Sequence, residues 1–192
     1  MRVIDDSHWR GLDAPRIPPA TPAEVNPLLR AVLAIAGRAT GGPPPHIFAT
    51  LARHPSLFVS WLVFAGRLMP RGRLPRDETE LVILRVAWNC ANRYEWDHHV
   101  RIGRRAGLTE ADIERVPDGP GADGWPDRRR ALLSAADEIH TEGRISDATW
   151  ALLRPQLDDR ELIELTMLIG HYEMVAATIS SLGIQPEARD RA

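Results

Sequence analysis

Apolar residues recur at intervals of three and four positions along most of the chain, which is the spacing of an amphipathic α-helix. The stretch NPLLRAVLAIAGRA (26–39) follows this spacing and stops at the Gly/Pro run GGPPP. Further segments of this kind are HIFATLARHP (46–55), SLFVSWLVFAGRLM (56–69), DETELVILRVAWNCA (77–91), YEWDHHVRIGRRAG (94–107) and LTEADIERV (108–116). No segment alternates apolar and polar residues between hairpin turns, so the pattern predicts an all-α fold.

The second half continues in the same way after a loop of Gly, Pro and Asp, PDGPGADGWPD. Three more helices are predicted there: RRRALLSAADEIHTEG (128–143), SDATWALLRPQL (146–157) and DDRELIELTMLIGHYEMVAATISSLG (158–183). The first 27 residues are rich in proline and predict an extended arm that wraps the domain or a neighbour. We therefore expect an arm over 1–27 and one helical domain over 28–192.

A faint internal repeat divides the helical part into two similar halves. RDETELVILRVAW resembles LDDRELIELTMLI, and the match pairs Glu80 with Glu161. An aspartate stands three residues before each glutamate (Asp77 and Asp158), which is a capping-box spacing. The segment 92–99 has no counterpart in the second copy. What one copy has beyond the shared scaffold is the better place to look for function.

Composition narrows the chemistry mainly through what it lacks. All 24 basic residues are arginine, so a lysine Schiff base is excluded, and Cys90 is the only cysteine, so there is no CxxC pair or intrachain disulfide. A net charge of −2 gives no reason to expect nucleic acid or an acidic membrane as partner. The apolar stretches look too short to cross a bilayer, and the start of the chain has no signal-peptide core. We expect a cytoplasmic protein.

Groups that could do chemistry concentrate in the segment NCANRYEWDHHV (89–100). On a helix, Asn92, Glu95 and His99 share one face, and Tyr94 and His98 form a stripe beside them. An imidazole near a carboxylate suits proton transfer close to neutral pH, and this pattern favours a pair of Glu95 with His99. Two further residues could reach the same pocket, Glu80 if its helix folds back and Trp96 from the border of the cluster.

Simpler interpretations of the same residues stay open. A Glu–His pair four apart on a solvated helix contributes only about 0.2–0.5 kcal/mol, and Glu80 could merely cap its own helix. Glu95 and His98 form a Glu-x-x-His pair, but di-iron bundles need a second such pair, which the chain lacks. We therefore expect neither a metal nor another cofactor. Cys90 is interpreted as a buried structural thiol.

The segment RLPRDETELVILRVAWNCANRYEWDHHVRIGRRAGLTEADIERV (73–116) resembles the carboxymuconolactone decarboxylase family, which includes the alkylhydroperoxidase D-like proteins. The flanking helices fit the same subgroup, so the resemblance extends from about Arg16 to Pro186. It implies an all-α fold and assembly as a dimer, trimer or hexamer.

The resemblance also says which residues of this chain stand at the family's site. The hydroperoxidase branch has a glutamate, eleven intervening residues, and then Cys-x-x-Cys-x-x-x-His. Glu80 takes the glutamate position and His99 the histidine position, whereas Asn92 and Glu95 replace the two cysteines. Neither replacement can attack a peroxide or resolve a sulfenic acid, and Cys90 lies two positions too early. The decarboxylase branch, which also lacks the CxxC, acts on a small carboxylated lactone.

These observations favour a cofactor-free acid–base enzyme acting on a small carboxylated or lactone-like metabolite. The expected catalytic residues are His99, Glu95 and Glu80. The expected substrate-binding residues are Asn92, Tyr94, Trp96, His98 and Arg85, with Arg101 as another candidate for holding a carboxylate. Two alternatives remain: a peroxide reductase that uses Cys90 with an external thiol, and a non-catalytic helical module. In each case a homo-oligomer is expected, because the chain has more apolar helix faces than a domain of this size easily buries.

Overall fold

The structure is a computed structural model that describes residues 6–40 and 43–187. Within these ranges every regular element is helical, which confirms the all-α prediction. Among the described residues, two short 3-10 turns (Asp6–His8 and Val116–Asp118) accompany nine α-helices. The α-helices are α1 (Pro27–Thr40), α2 (His46–Leu51), α3 (Pro55–Leu68), α4 (Arg76–Asn89), α5 (Arg93–Ala106), α6 (Glu110–Arg115), α7 (Asp127–Glu142), α8 (Asp147–Leu153) and α9 (Asp159–Leu182).

The chain divides into two compact units. The first contains Gly66–Ala177 together with the start of the chain up to Arg10, and the second contains Gly11–Ala65 and the residues from Thr178 onward. In the second unit, part of the Pro-rich segment packs into a small hydrophobic cluster. Its buried members are Ala20, Val25, Leu29, Leu33, Ala52 and Phe58.

Helix α4 is the central element of the first unit. Its residues from Leu81 to Leu84 are completely buried, and so are Val86 and Ala87. A helix buried on nearly every side requires other helices to enclose it, because the burial of its apolar residues drives the packing. Three residues of α4 form a hydrophobic cluster with residues of its neighbours. The buried members of this cluster are Leu81, Leu84, Ala87, Trp96, Leu108, Ile113, Val116, Trp125 and Leu133.

Arginine–carboxylate pairs fasten α4 to α7. Arg85 meets Asp137 through two N–H groups at 2.6 and 2.9 Å. Arg128 holds Glu78 in the same two-point fashion at 2.8 and 2.9 Å. The planar guanidinium matches a carboxylate in geometry, so such pairs fix register as well as distance.

The two halves of the internal repeat use their matching Asp and Glu residues differently. In α9 the predicted capping box forms, because the Asp158 and Glu161 side chains accept each other's backbone N–H groups at 2.8 Å. In α4 it does not form, since the residue before the helix is Pro75 and no side chain caps it. There Asp77 instead accepts a hydrogen bond from Arg129 at 2.8 Å. Glu80 is thereby left for another role.

Helix α6 begins with a capping box. The Thr109 hydroxyl accepts the N–H of Asp112 at 3.1 Å, and the Asp112 carboxylate accepts the N–H of Thr109 at 3.0 Å. This reciprocal pair is the capping box, and it satisfies two backbone donors at the start of the helix.

Helix α9 matches the predicted helix 158–183 closely and is strongly apolar. Among the described residues it is the one helix, with 24 residues, whose length and composition would suffice for a membrane span. Half of its apolar window is buried inside the protein, as in a core helix.

The described start of the chain packs against the first unit. The His8 ring stacks on the Trp88 indole with ring centres 3.7 Å apart. The Trp9 ring contacts both Trp88 and Trp96, with ring centres 5.5 and 5.8 Å away. The backbone N–H of Arg10 donates to the carbonyl of Ala91 at 2.8 Å. This short strap covers the turn between α4 and α5, immediately beside the segment that the sequence singles out.

Candidate active site

Asn92 connects α4 to α5 by capping the second helix. The preceding Ala91 has a φ of +52°, a left-handed conformation that turns the chain sharply after α4. The side-chain oxygen Oδ1 of Asn92 accepts a hydrogen bond from the backbone N–H of Glu95 at 3.0 Å. The side-chain nitrogen Nδ2 donates to the backbone carbonyl of Ala176 at 3.1 Å. Asn92 is buried, so this cap fixes the first turn of α5, which carries Glu95.

A buried hydrogen bond joins Glu80 of α4 to His99 of α5. Nδ1 of His99 lies 2.7 Å from Oε2 of Glu80, and the two residues are 7% and 0% exposed. The other Glu80 oxygen, Oε1, forms an ion pair with Nη2 of Arg76 at 2.5 Å. A buried carboxylate needs such partners, because its charge is costly to remove from water. The Glu80–His99 pair is the centre of the candidate site.

The sequence pattern favoured Glu95 as the partner of His99, and the structure places Glu80 there instead. The pairing of Glu95 with His99 assumed that partners lie on one helix. In the structure α4 and α5 lie side by side, which brings the two residues together across the helix pair.

A glycine lets α5 approach α4 closely at this point. Gly103 follows His99 by one helical turn on α5. A Cβ atom at Gly103 would lie 2.9 Å from Cδ1 of Leu108 and 3.6 Å from Cβ of Glu80. A Cβ at this position would therefore require the Leu108 side chain to shift, and it would meet Glu80 at an ordinary van der Waals distance.

Glu95 is a second buried carboxyl group, and its environment favours the neutral form. It is 3% exposed, and within the described part of the chain its Oε2 atom has no hydrogen-bond partner. Burial raises the pKa of Glu95 well above 4.5, and the negative charge of Glu173 raises it further. A neutral carboxyl group can donate a proton, which an ionised one cannot.

Tyr172 of α9 completes the candidate site and carried no signal in the sequence. Its ring stands perpendicular to the His99 imidazole with the centres 5.1 Å apart, and its hydroxyl donates to Sδ of Met69 at 3.5 Å. Burial raises the pKa of the Tyr172 phenol, and the charge of Glu80 adds to the increase. The group therefore stays protonated and available as a hydrogen-bond donor.

Arg76 is the cation of the candidate site, and the sequence analysis did not name it. Its side chain is about one third exposed and binds Glu80 through Nη2. Its other terminal nitrogen, Nη1, is buried and has no hydrogen-bond partner among the residues that the structure describes. A buried guanidinium nitrogen without a partner can donate a hydrogen bond to the carboxylate oxygen of a ligand.

Arg85, the arginine expected to hold a substrate carboxylate, is already engaged. Besides its two contacts with Asp137, it donates to the carbonyl groups of Val116 and Pro117 at 2.8 and 3.1 Å. A Cβ at Gly119 would lie 2.7 Å from Nη2 of Arg85, so the backbone there fits closely around the guanidinium. These contacts give Arg85 a structural role, and its assignment to substrate binding stays a prediction without support from its contacts.

Three further residues from the predicted site form local contacts on α5. The Tyr94 and His98 rings stack with centres 4.3 Å apart, and Nδ1 of His98 lies 2.8 Å from the carbonyl oxygen of Tyr94. Trp96 belongs to the hydrophobic cluster around α4 and packs on Trp88 and Trp9. The structure thus brings Glu80 and His99 into direct contact and places Trp96 in the core.

Cys90 lies at the end of α4 in an environment that disfavours the thiolate. Its Sγ atom donates to Oε2 of Glu173 at 3.2 Å. Burial raises the pKa of the Cys90 thiol, and the hydrogen bond and charge of Glu173 raise it further. Because the thiolate is the nucleophile in peroxide reduction, Cys90 is poorly suited to that reaction.

Within the described residues the fold is all-helical, and a buried hydrogen bond joins Glu80 to His99. Residues 55–138, which are less than half of the chain, match the model of the carboxymuconolactone decarboxylase family. This match supports the carboxymuconolactone decarboxylase/AhpD-like superfamily for that segment. No curated protein sequence matches the chain.

Solved structures of the same fold cover nearly the whole chain at low sequence identity. The alkylhydroperoxidase AhpD core of an uncharacterized peroxidase-related protein from Ralstonia eutropha JMP134 is 21% identical and has a TM-score of 0.79, with 92% of this chain and 94% of that chain covered. A peroxidase-related protein from Silicibacter sp. TM1040 is 18% identical with a TM-score of 0.78, and the match covers 100% and 98%. The debrominase Bmp8 is 16% identical with a TM-score of 0.78, and the match covers 91% and 94%.

Proposed function

We propose that the protein is a cofactor-free acid–base enzyme that acts on a small carboxylated or lactone-like metabolite in a decarboxylase-like lyase reaction. The observation that carries this proposal is the buried hydrogen bond between Glu80 and His99. A histidine held by a carboxylate in a nearly dry environment is a common arrangement for proton transfer. The match of residues 55–138 to the carboxymuconolactone decarboxylase family supports the proposed substrate class.

In the proposed reaction His99 moves the proton and Glu80 fixes the imidazole. Oε2 of Glu80 accepts a hydrogen bond from the N–H group at Nδ1 of His99, and Nε2 is then the nitrogen that faces the substrate. Within residues 6–40 and 43–187, no protein group forms a hydrogen bond to Nε2. When the carbon–carboxylate bond of the substrate breaks, carbon dioxide leaves and its bonding electrons pass to the neighbouring carbonyl. Nε2 of the imidazolium form of His99 then donates its proton to that carbon atom, and a proton from solvent restores the imidazolium for the next turnover.

The neutral donors and the arginine of the site have distinct parts in this proposal. Glu95 and Tyr172 remain protonated, so either can donate a hydrogen bond to the carbonyl oxygen as negative charge develops there. Arg76 can hold the substrate carboxylate through Nη1 while Nη2 stays on Glu80. Asn92 acts indirectly, because it sets the start of the helix that carries Glu95 and His99.

Thiol-dependent peroxide reduction is the weaker alternative. Two of the similar structures come from peroxidase-related proteins, so the fold is compatible with that chemistry. This chain, however, has one cysteine, and the pKa of its thiol is raised. Peroxide reduction would therefore need an external thiol and a nucleophile that is almost entirely protonated at neutral pH.

The proposed protein has a small-molecule substrate, no nucleic-acid or membrane partner, a cytoplasmic location and a homo-oligomeric state. Apolar side chains exposed on one face of α9, Ile163, Met167 and Met174, are compatible with contact between copies. A molar mass of one chain by light scattering at micromolar concentration would contradict the oligomer.

The proposal is tested by turnover of a panel of small carboxylated lactones and β-keto acids. The wild-type protein is expected to release carbon dioxide from at least one of them. The variant His99→Ala is expected to lower kcat by about 10²–10⁴-fold, which is the usual contribution of a positioned acid or base. His54→Ala removes an exposed histidine outside the site and is expected to keep wild-type kcat.

Two results would contradict this assignment. Undiminished turnover by His99→Ala would remove the histidine from the mechanism. Peroxide turnover by the wild type that is lost in Cys90→Ser, together with no turnover of the panel, would establish the thiol alternative.

A further inference from the structure

A second cluster of polar groups lies beside the acid–base site and is not used by the proposed reaction. Cys90 at the end of α4, His140 of α7 and Glu173 of α9 bring one sulfur, one nitrogen and one oxygen within 4.8 Å of one another. Sγ of Cys90 lies 3.2 Å from Oε2 of Glu173, and Nδ1 of His140 lies 2.8 Å from Oε1. The carboxylate therefore stands between the thiol and the imidazole.

We propose that Cys90, His140 and Glu173 bind a divalent transition metal ion of the zinc type. A thiolate, an imidazole and a carboxylate are the three ligand types that zinc takes in proteins. With zinc bonds of about 2.0–2.3 Å, tetrahedral ligand atoms stand about 3.3–3.8 Å apart, so small side-chain rotations would complete the geometry. Three protein ligands leave a fourth position for water.

The burial of the three residues provides both a fixed ligand and an entry path. Cys90 and Glu173 are half-buried, which limits the positions that their ligand atoms can take, whereas His140 is exposed at the surface. A sulfur ligand favours zinc, cobalt or copper over magnesium and calcium, which prefer oxygen. The site therefore selects a borderline or soft metal and admits it from the side of His140.

The surrounding charges favour a cation at this place. The two oxygens of Glu173 face the Cys90 sulfur and the His140 imidazole, so its negative charge lies between the other two ligands. A bound dication would neutralise Glu173 and stabilise the ionised sulfur.

Binding replaces the thiol proton by the metal. The S–H bond of Cys90 breaks, a sulfur–metal bond forms, and one proton goes to solvent, with no change of oxidation state. No metal was predicted from the sequence, because its one recognisable ligand pattern is the Glu-x-x-His pair on α5. The ligands of this cluster come from three helices and have no sequence motif.

The test uses the full-length protein, freed of metal by a chelator and titrated with Co²⁺. We expect the near-ultraviolet absorption of a thiolate–cobalt bond together with the visible bands of tetrahedral cobalt, and Zn²⁺ should abolish both. Cys90→Ser should lose the near-ultraviolet band. His140→Ala, a surface change that leaves the core intact, should weaken Co²⁺ binding at least about tenfold. His54→Ala serves as the matched control and should bind like the wild type.

Either of two results would overturn the metal site. One is the absence of thiolate–cobalt absorption in the wild-type protein at a several-fold excess of Co²⁺. The other is absorption that persists in Cys90→Ser or is unaffected by His140→Ala. The readout is spectroscopic and needs no turnover, so the proposed lyase reaction can fail while the metal site stands, and the reverse holds as well.

Discussion

Replacing Glu80 with alanine is expected to lower the free energy of unfolding by about 3–5 kcal/mol. The change removes the partner of a buried imidazole and of the Arg76 guanidinium, and both groups would remain in the protein interior. It also leaves a cavity, because Glu80 is completely buried. The loss can be measured by urea denaturation near neutral pH.

The internal repeat supplies a matched control. Glu161 occupies the same position in the second copy, but it caps its own helix near the surface. Glu161→Ala is expected to cost only about 1 kcal/mol, the usual value of a lost cap. Glu80→Gln keeps the volume and removes the charge, so it should fall between the two alanine variants. Equal losses in Glu80→Ala and Glu161→Ala would mean that the buried pair contributes nothing beyond a cap.

The second large effect is a pH dependence of stability in which Glu95 and His171 oppose each other. The pKa of Glu95 is raised in the folded protein, so the folded state keeps a proton that the unfolded chain has lost. Its contribution is fully present below about pH 4.5 and is lost as the pH rises towards the folded pKa. The loss amounts to about 1.4 kcal/mol for each pH unit in that window.

His171 acts in the opposite direction. It is 6% exposed, and burial lowers its pKa from 6.5 to about 4. Between about pH 4 and pH 6.5, His171 is therefore protonated in the unfolded chain and neutral in the folded protein. Its contribution is present above pH 6.5 and falls by up to about 3 kcal/mol as the pH drops to about 4.

Between pH 4.5 and 6.5 these two slopes nearly cancel in the wild-type protein, and single variants separate them. Glu95→Gln should become steadily more stable from pH 4.5 to 6.5 and should exceed the wild type at pH 8. His171→Leu should lose stability as the pH rises above 4.5. Unfolding midpoints in urea, measured at half-unit pH steps, provide the comparison. If both variants follow the wild-type pH profile, neither group has the shifted pKa described above.

Most of the helical framework could be predicted from the sequence because it depends on local rules. Apolar spacing located the helices, and the Gly/Pro runs located their ends. Two capping boxes were predictable from spacing, at Thr109 and at Asp158. The one expected at Asp77 was wrong, because Arg129 of a distant helix competes for that carboxylate. Local rules decide a cap only where no tertiary partner is stronger.

The composition of the candidate site was partly predictable, whereas its pairing was not. Spacing and the family resemblance pointed to Glu80, Glu95 and His99, and two of these meet directly. Which carboxylate contacts His99 depends on how α4 packs against α5. Helical periodicity within one segment does not predict the packing between two helices. Tyr172 and Arg76 were missed for the same reason. The engagement of Arg85 by Asp137 likewise depends on a contact between α4 and α7.

The strap from His8 to Arg10 and the contacts of α9 have a consequence for how the chain matures on the ribosome. The strap leaves the exit tunnel before its partners, because Trp88, Ala91 and Trp96 lie about 80 residues further along the chain. Tyr172 and the carbonyl of Ala176 emerge later still. A nascent chain that has reached only α5 therefore holds Glu80 and His99 without their aromatic neighbour, and this corner of the molecule is completed only after α9 has emerged.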